Sequence, residues 1–535
     1  MKNYKIQLLA FLPFLLIACK TTSQSDLPTA SQVGAAALPE QIAPLKGIPF
    51  DMPQLKKNSF PELTVDITDR GAIPGNTITD IVNKLIIEVN QKGGGTVIIP
   101  KGKWNSGRIV LKSNINLHLE EGAELEFPGT AEAYLPPVFT RHEGIEVMGA
   151  GAFIYANGEN NIAITGQGTI FGPPLEAEIR KRPNGNTVVE NDITSEIPVE
   201  KRIADGMHGR TFYRPKTIAP INCTNVLIEG IRLERSTFWN ICPIYCENVI
   251  IRGVTINSLD IPSGDGIDIE SCKNVLIEYC TLNCGDDCFT LKAGRAEDGL
   301  RVGKATENVI IRYSLAQKGH GGVTCGSETA GKIKNIYLHD CVFDGTQVGI
   351  RFKTRRSRGG GIEDIVYERI RMINIGEAFK WDLLGSAKYV GELAQRYPPR
   401  AINRLTPTVK DIHIKDFLVE STEKVLSINA IPEIPCSSVL IENGQIKSKK
   451  LISAINDVDG FILRNINIYA EDNKINILDG RNILFDHVNF TVPTGKIITN
   501  IKGDKSQNII YKQENSIVEC SSQEPINVNI LSQRH

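Results

Sequence analysis

A short phrase recurs through the middle of this chain: Asn161-Ile-Ala-Ile, Asn225-Val-Leu-Ile, Asn248-Val-Ile-Ile, Asn274-Val-Leu-Ile, Asn308-Val-Ile-Ile and Asn335-Ile-Tyr-Leu, with looser copies at Asp364, Asp411, Ser438, Gly460 and Asn482. Where no insertion intervenes the copies lie roughly 22 to 30 residues apart, and each is followed by a second apolar run such as Gly253-Val-Thr-Ile or Tyr279-Cys-Thr-Leu. A unit this short cannot bury an apolar face alone, so it must stack on its neighbours. Within each run every second side chain points inward, and asparagine at the turn bonds the backbone and tolerates left-handed geometry. Propeller blades repeat nearer 40 residues, and leucine-rich repeats carry their own leucine and helical signature. The pattern predicts an all-β chain, a single-stranded right-handed parallel β-helix.

The flanks read differently. Lys2 and Lys5 give a positive start, Ile6 to Ala18 is apolar apart from Gln7 and Pro13, and the run ends Leu16-Ile17-Ala18-Cys19. It is short for a membrane span and reads as a signal over residues 1–18. Its ending resembles a bacterial lipobox, which implies cleavage, lipidation of Cys19 and a lipid anchor that holds the protein to a membrane without spanning it. A plain secretory signal with an incidental cysteine is the alternative. The expected location is a bacterial envelope, at the outer membrane facing the periplasm, with exposure at the cell surface as the alternative. Residues 19–60, rich in Ala, Pro, Ser and Gln and without periodicity, are expected to be a flexible tether. The solenoid is expected over residues 61–515, with a tail at 516–535. Asp80 and the apolar set Ile78, Val82, Leu85, Ile86 and Val89, stopped by Gly93-Gly94-Gly95, predict a helix over 77–91 that caps the open N-terminal coil. Two stretches break the rhythm, between Phe171 and Arg214 and from about Glu377 to Thr408. Long loops on a rigid solenoid are either functional or idle insertions.

Composition excludes some partners. A net charge of −1 and a pI near 6.7 leave no basic field for nucleic acid, so an acidic ligand must be held by local Arg and Lys side chains. Twelve cysteines sit mostly inside β-type runs and are expected to be small buried side chains. Cys280, Cys284 and Cys288 lack a histidine cluster, so no zinc site, and no other metal or cofactor, is expected. A monomer is expected.

Chemistry-bearing residues gather at four stations: Asp265 in SGDGIDIE, Asp286 and Asp287 in CGDDCFTL, His320 between Gly319 and Gly321, and Arg351 with Lys353 across Phe352. The first two stations are 21 or 22 residues apart, close to one coil, which would set the three carboxylates on neighbouring strands about 4.8 Å apart. Clustered acids suit glycoside hydrolysis, in which one protonated acid serves the leaving oxygen and ionised partners activate water or stabilise the oxocarbenium-like state. Crowding favours that division because like charges raise at least one pKa. Arg351 and Lys353 face the same side of a strand, as a carboxylate clamp requires. Taken singly, Gly-Asp-Asp is a common turn, an exposed histidine is commonly solvated and Arg-x-Lys commonly lines a solvent face. A calcium site is the sharper rival for three aspartates, and the nearby cations count against it.

These residues resemble glycoside hydrolase family 28, the polygalacturonase family of pectin-degrading β-helices with the pectin lyase-like solenoid. The resemblance runs from GGGTVIIPKG through TRHEGIE, NIAITGQGTIFG and STFWNICPIYCENVIIRGVTI to Gly285-Asp286-Asp287-Cys288, Gly319-His320-Gly321 and Arg351-Phe352-Lys353, and fades toward the C-terminus. It implies that Asp286 is the general acid, that Asp265 and Asp287 activate water for an inverting displacement, that His320 assists, and that Arg351 and Lys353 bind the uronate beyond the scissile bond. The implied partner is a pectic poly- or oligosaccharide with α-linked galacturonic acid, attacked by exo-action if the insertion before Arg214 blocks the cleft. Ser263-Gly264-Asp265 stands where the family has Asn-Thr-Asp, so the sugar on the glycone side stays open. So do a hydrolase of rhamnogalacturonan or another decorated pectin, a calcium-dependent pectate lyase and a non-catalytic glycan-binding β-helix. Trp239 is either a sugar platform or a buried side chain.

Overall fold

The computed structural model describes residues 27–181, 189–513, 517–522 and 528–532. The recurring phrase forms one parallel stack of a β-helix, and a single in-register column runs through Val226, Val249, Val275, Val309, Ile336, Ile365, Ile412, Val439, Phe461, Ile483 and Ile509. All of these side chains are buried, and each contributes about 1.5–3 kcal/mol of burial. The turn before each strand is left-handed: Asn161, Asn225, Asn248, Asn274, Asn308 and Asn335 all have φ between 54 and 57°. Their amides chain from coil to coil, Asn248 Nδ2 donating to Asn225 Oδ1 at 3.2 Å, Asn274 to Asn248 at 3.2 Å, Asn308 to Asn274 at 3.1 Å and Asn335 to Asn308 at 3.0 Å. The looser copies at Asp364, Asp411, Ser438, Gly460 and Asn482 keep the positive φ. Asparagine therefore serves twice, tolerating the turn and satisfying its neighbour.

The N-terminal helix α1 (Thr79–Gln91) buries Val82, Leu85, Ile86 and Val89 against the first coil, and Thr79 Oγ1 accepts from Gly107 N at 2.6 Å. Ten cysteines are free and buried, and Cys520 is free and exposed. Among the described residues no helix is long and apolar enough to cross a membrane. The signal expected at 1–18 and the lipidation site Cys19 lie outside the described residues.

Three features go beyond what the sequence led one to expect. Residues 27–60 are not a loose tether. They form a strap laid lengthwise on the solenoid, because the outward side chain of each repeat is itself apolar: Ala163, Leu227, Ile250, Leu276, Ile310 and Tyr337 make a stripe that water would otherwise wet. Leu55 is buried on that stripe, with Ile42, Leu45, Ile48, Phe50 and Phe60 packed alongside. Strap carbonyls are held by solenoid side chains, with Arg371 Nε donating to Pro28 O at 2.7 Å, Arg252 Nη2 to Pro39 O at 2.7 Å and Arg312 Nη2 to Ala43 O at 2.9 Å. Second, the expected tail carries two further strands, Ile517–Ser522 and Val528–Ser532, which extend the stacks by pairing with Lys496–Lys502 and Gln507–Gln513. Third, the excursion between Phe171 and Arg214 has its own small core, in which Val189, Ile193, Ala204 and Tyr213 pack on Ile145 and Val147. It is pinned by a buried Arg202–Asp298 ion pair at 2.7 Å.

Candidate active site

One stack positions every chemistry-bearing residue. Its strands are β1 (Ala152–Asn157), β2 (Lys216–Ile221), β3 (Ile267–Glu270), β4 (Phe289–Lys292), β5 (Gly319–Cys325), β6 (Thr346–Lys353) and β7 (Ile375–Asp382). Ile267, Phe289, Val323, Ile350 and Phe379 align inward as one column. The next residues along, Asp268, Thr290, Thr324, Arg351 and Lys380, therefore align outward as the floor of a groove.

Asp265 enters just before β3, Asp286 and Asp287 just before β4, His320 on β5, and Arg351 and Lys353 on β6. One oxygen from each of Asp265, Asp286 and Asp287 lies within 4.8 Å of the others, with Asp265 and Asp287 buried and Asp286 half-buried. Glycines permit the crowding: a Cβ on Gly285 would stand 2.3 Å from the Ile261 carbonyl, and one on Gly321 would stand 2.7 Å from Asp287 Oδ1. Arg351 Nη1 donates to Asp287 Oδ1 at 3.2 Å and Lys353 Nζ to Oδ2 at 2.7 Å, so both oxygens of this buried carboxylate are taken by cations. His320 Nδ1 lies 3.0 Å from Asp286 Oδ1 at the open side of the group. All six residues read from the sequence come together here.

Three groups were not singled out from the sequence. Lys292, buried on β4, reaches Asp265 Oδ2 at 3.7 Å, Asp268 Oδ1 at 3.6 Å and Glu328 Oε2 at 3.5 Å. The face of Trp239 covers its ammonium at 4.5 Å. The signal for it was present, since in Asp287-Cys-Phe-Thr-Leu-Lys292 the inward Phe289 and Leu291 put Thr290 and Lys292 on the aspartate side. Nothing in the sequence marks Glu328, which lies just beyond the end of β5. Trp239 is 4 % exposed and stacked on Phe238 at 4.8 Å, so it supports the lysine and is no open platform for sugar.

The electrostatics divide the acids. Burial first, then the charges of Asp268 and Asp286, push Asp265 well above the ordinary carboxyl range, although Lys292 works against the shift. Burial likewise pushes Asp268 up to about 7, with Lys292 and the Thr290 hydroxyl opposing. Burial also disfavours the Asp287 carboxylate, yet Lys353 and Arg351 outweigh it and hold the group well below its usual range. His320 is raised, chiefly by its hydrogen bond to Asp286. The site thus holds one firmly ionised carboxylate beside a buried pair that retains a proton more tightly. Divalent cations fit poorly: calcium takes six to eight oxygen ligands, while two of these three aspartates already contact ammonium or guanidinium groups.

The groove ends just before Asp265. On β1 and β2 its floor is filled by Phe238 and Trp239 packed on Tyr155, Ile221 and Ile244, with Phe139 alongside. His142 stacks on Tyr213 at 4.1 Å and on Phe238 at 4.8 Å, which ties this plug to the excursion before Arg214.

With this geometry in hand, comparison with known proteins is decisive. The family model described as Glycosyl hydrolases family 28 matches residues 205–461, which include every site residue above. Over this stretch the chain matches glycoside hydrolase family 28. It is a glycosidase on the parallel β-helix of that family, as its residues suggested. A probable polygalacturonase of Vitis vinifera is 28 % identical over 389 residues, covering 71 % of this chain and 73 % of its own. An exo-poly-α-D-galacturonosidase of Dickeya chrysanthemi is 24 % identical over 58 % of this chain and 56 % of its own. The crystal structure of a hyperthermoactive exopolygalacturonase from Thermotoga maritima superposes with a TM-score of 0.68 at 28 % identity, covering 79 % of this chain and 93 % of that one.

Proposed function

We propose that this family 28 enzyme hydrolyses α-linked galacturonic acid from the end of pectic poly- or oligosaccharides, with inversion. The observation that carries the reading is the groove itself: three carboxylates with nearest oxygens within 4.8 Å, a cationic pair two strands beyond β4, and a plug on the opposite side. Asp286, at the open side and hydrogen-bonded to His320, is placed to give a proton to the leaving oxygen. Asp265 and Asp287 hold and activate water. Arg351 and Lys353 take the uronate carboxylate on the leaving side. The plug closes the groove on the Asp265 side, which favours exo-action, and the exo-acting relatives named above support this.

The nearest oxygens of the acids lie closer together than the about 6.5–9.5 Å usual between the carboxyls of an inverting glycosidase. Inversion is therefore argued on access. A retaining mechanism needs a free ionised oxygen facing the sugar. Asp287 has both oxygens engaged and is fully buried, and Asp265 is buried against Lys292. Digestion of oligogalacturonides followed by proton NMR tests both points: the first product is monomeric galacturonate, and the new end is of the β-anomer. Mixed oligomers from the outset, or an α-anomer formed first, contradict the reading.

The Leu16-Ile17-Ala18-Cys19 sequence supports a lipid anchor at Cys19 and a place in a bacterial envelope, at the outer membrane facing the periplasm, with the enzyme acting as a monomer.

A further inference from the structure

Beyond Lys353 the groove is walled by the excursion that follows β7, and this wall is built. Arg356 gives its guanidinium to Glu433, to Leu393 O at 2.8 Å and to Arg396 O at 3.0 Å. Arg396 in turn pairs with Asp457 at 2.6 Å, and Tyr397 donates to Asp479 Oδ2 at 2.8 Å. The loop is thereby fastened to the coils below it, and its short helix Ala387–Val390 is held in place.

Arg355, next to the fully engaged Arg356, is the contrast. Among the described residues its guanidinium has no ion pair and no hydrogen bond. It lies over the ring of Tyr389 at 4.5 Å, and Gly385 lets it pass, since a Cβ there would meet its Cδ at 2.9 Å. Tyr389 is 44 % exposed, and Lys388 Nζ approaches the same ring at 5.6 Å. The acids whose charge reaches Arg355, Glu328 and Glu143, are committed to Lys292 and Arg295. A half-buried cation without an anion, two residues along the chain from Lys353, is open to a negative charge from outside.

We propose that Arg355 and Tyr389 form a second carboxylate subsite, which binds the next uronic acid of the leaving chain beyond the one held by Arg351 and Lys353. The inference rests on the galacturonan reading above. The guanidinium takes the carboxylate and the exposed tyrosine face lies against the sugar ring, so oligogalacturonides of three or more units are bound more productively than the dimer.

The test is kcat/KM on the di-, tri- and tetragalacturonates for the wild-type enzyme, Arg355→Met and Tyr389→Ala, with melting curves to verify the fold. The wild type prefers trimer to dimer, and Arg355→Met lowers that trimer-to-dimer ratio by about ten- to a hundredfold, the effect of one charge-assisted hydrogen bond. Tyr389→Ala, an exposed position whose loss does not threaten folding, lowers the ratio in the same direction. A ratio unchanged in both variants, or a loss equal on dimer and trimer, overturns the subsite while leaving the proposed function intact. Failure of the wild type to cleave any oligogalacturonide overturns both.

Discussion

Replacing Lys292 by methionine removes the one cation that touches Asp265 among the described residues, and the consequence has a sign and a size. At the observed 3.7 Å, and with an effective dielectric of about 20, an ammonium and a carboxylate attract by about 4 kcal/mol. Lys292 divides its field among Asp265, Asp268 and Glu328, and water entering the vacated site screens what remains, so Asp265 loses only part of this attraction. Asp265 acts as an ionised base, and losing a nearby cation raises its already elevated pKa. The acid limb of kcat/KM therefore moves to higher pH in Lys292→Met. Lys292→Arg keeps the charge and returns the limb toward its wild-type position. Truncating one member of a buried charged group costs about 3–5 kcal/mol of stability, so folding is checked by circular dichroism at pH 5, where the acids can neutralise themselves by taking up protons. An acid limb in Lys292→Met that coincides with the wild type, in a folded protein, would refute the assignment of Asp265 as a base controlled from β4.

His320 titrates above the ordinary histidine value of about 6.5 because the Asp286 carboxylate favours its imidazolium form, so the pair holds its charge attraction below the native pKa and loses it as pH rises through that value. NMR titration of the His320 ring checks this, and Asp286→Asn lowers its pKa; an unmoved titration contradicts the pairing. The strap makes a mechanical prediction. Leu55→Ala removes about 2 kcal/mol of apolar burial, and about thirtyfold more of the strap then opens. Limited proteolysis with mass analysis should find residues 27–60 resistant in the wild type and clipped in the variant, and equal cleavage rates would contradict the packing.

The coils, the helical cap and the four stations were legible in the sequence because each is a local matter. An apolar alternation, an asparagine at a left-handed turn and a coil-length spacing between Asp265 and Asp286 need only neighbouring residues to be read. Partnerships set by the winding were harder to see. Lys292 carries a local alternation signal but gains meaning only when Glu328, 36 residues on, is brought beside it. The strap was misjudged because its apolar residues, Ile42, Leu45, Ile48, Phe50 and Leu55, follow neither a helix nor a strand period. The clue lay far away, in the outward Leu227, Ile250, Leu276 and Ile310, whose apolar stripe demands a cover. The two final strands were missed because the late copies of the phrase, Asn508-Ile-Ile-Tyr and Asn527-Val-Asn-Ile, stand among polar residues, while the register of the stack carries on through Gln507–Gln513.

The most direct measurement is the rate at which Asp286→Asn releases galacturonate from digalacturonate. Asparagine preserves the shape of the side chain and cannot donate the acid proton, so the account predicts a fall in kcat of about a hundred- to ten-thousandfold with the fold retained. A variant that cleaves at the wild-type rate would mean that the three gathered aspartates are architecture, and that the chemistry is done elsewhere.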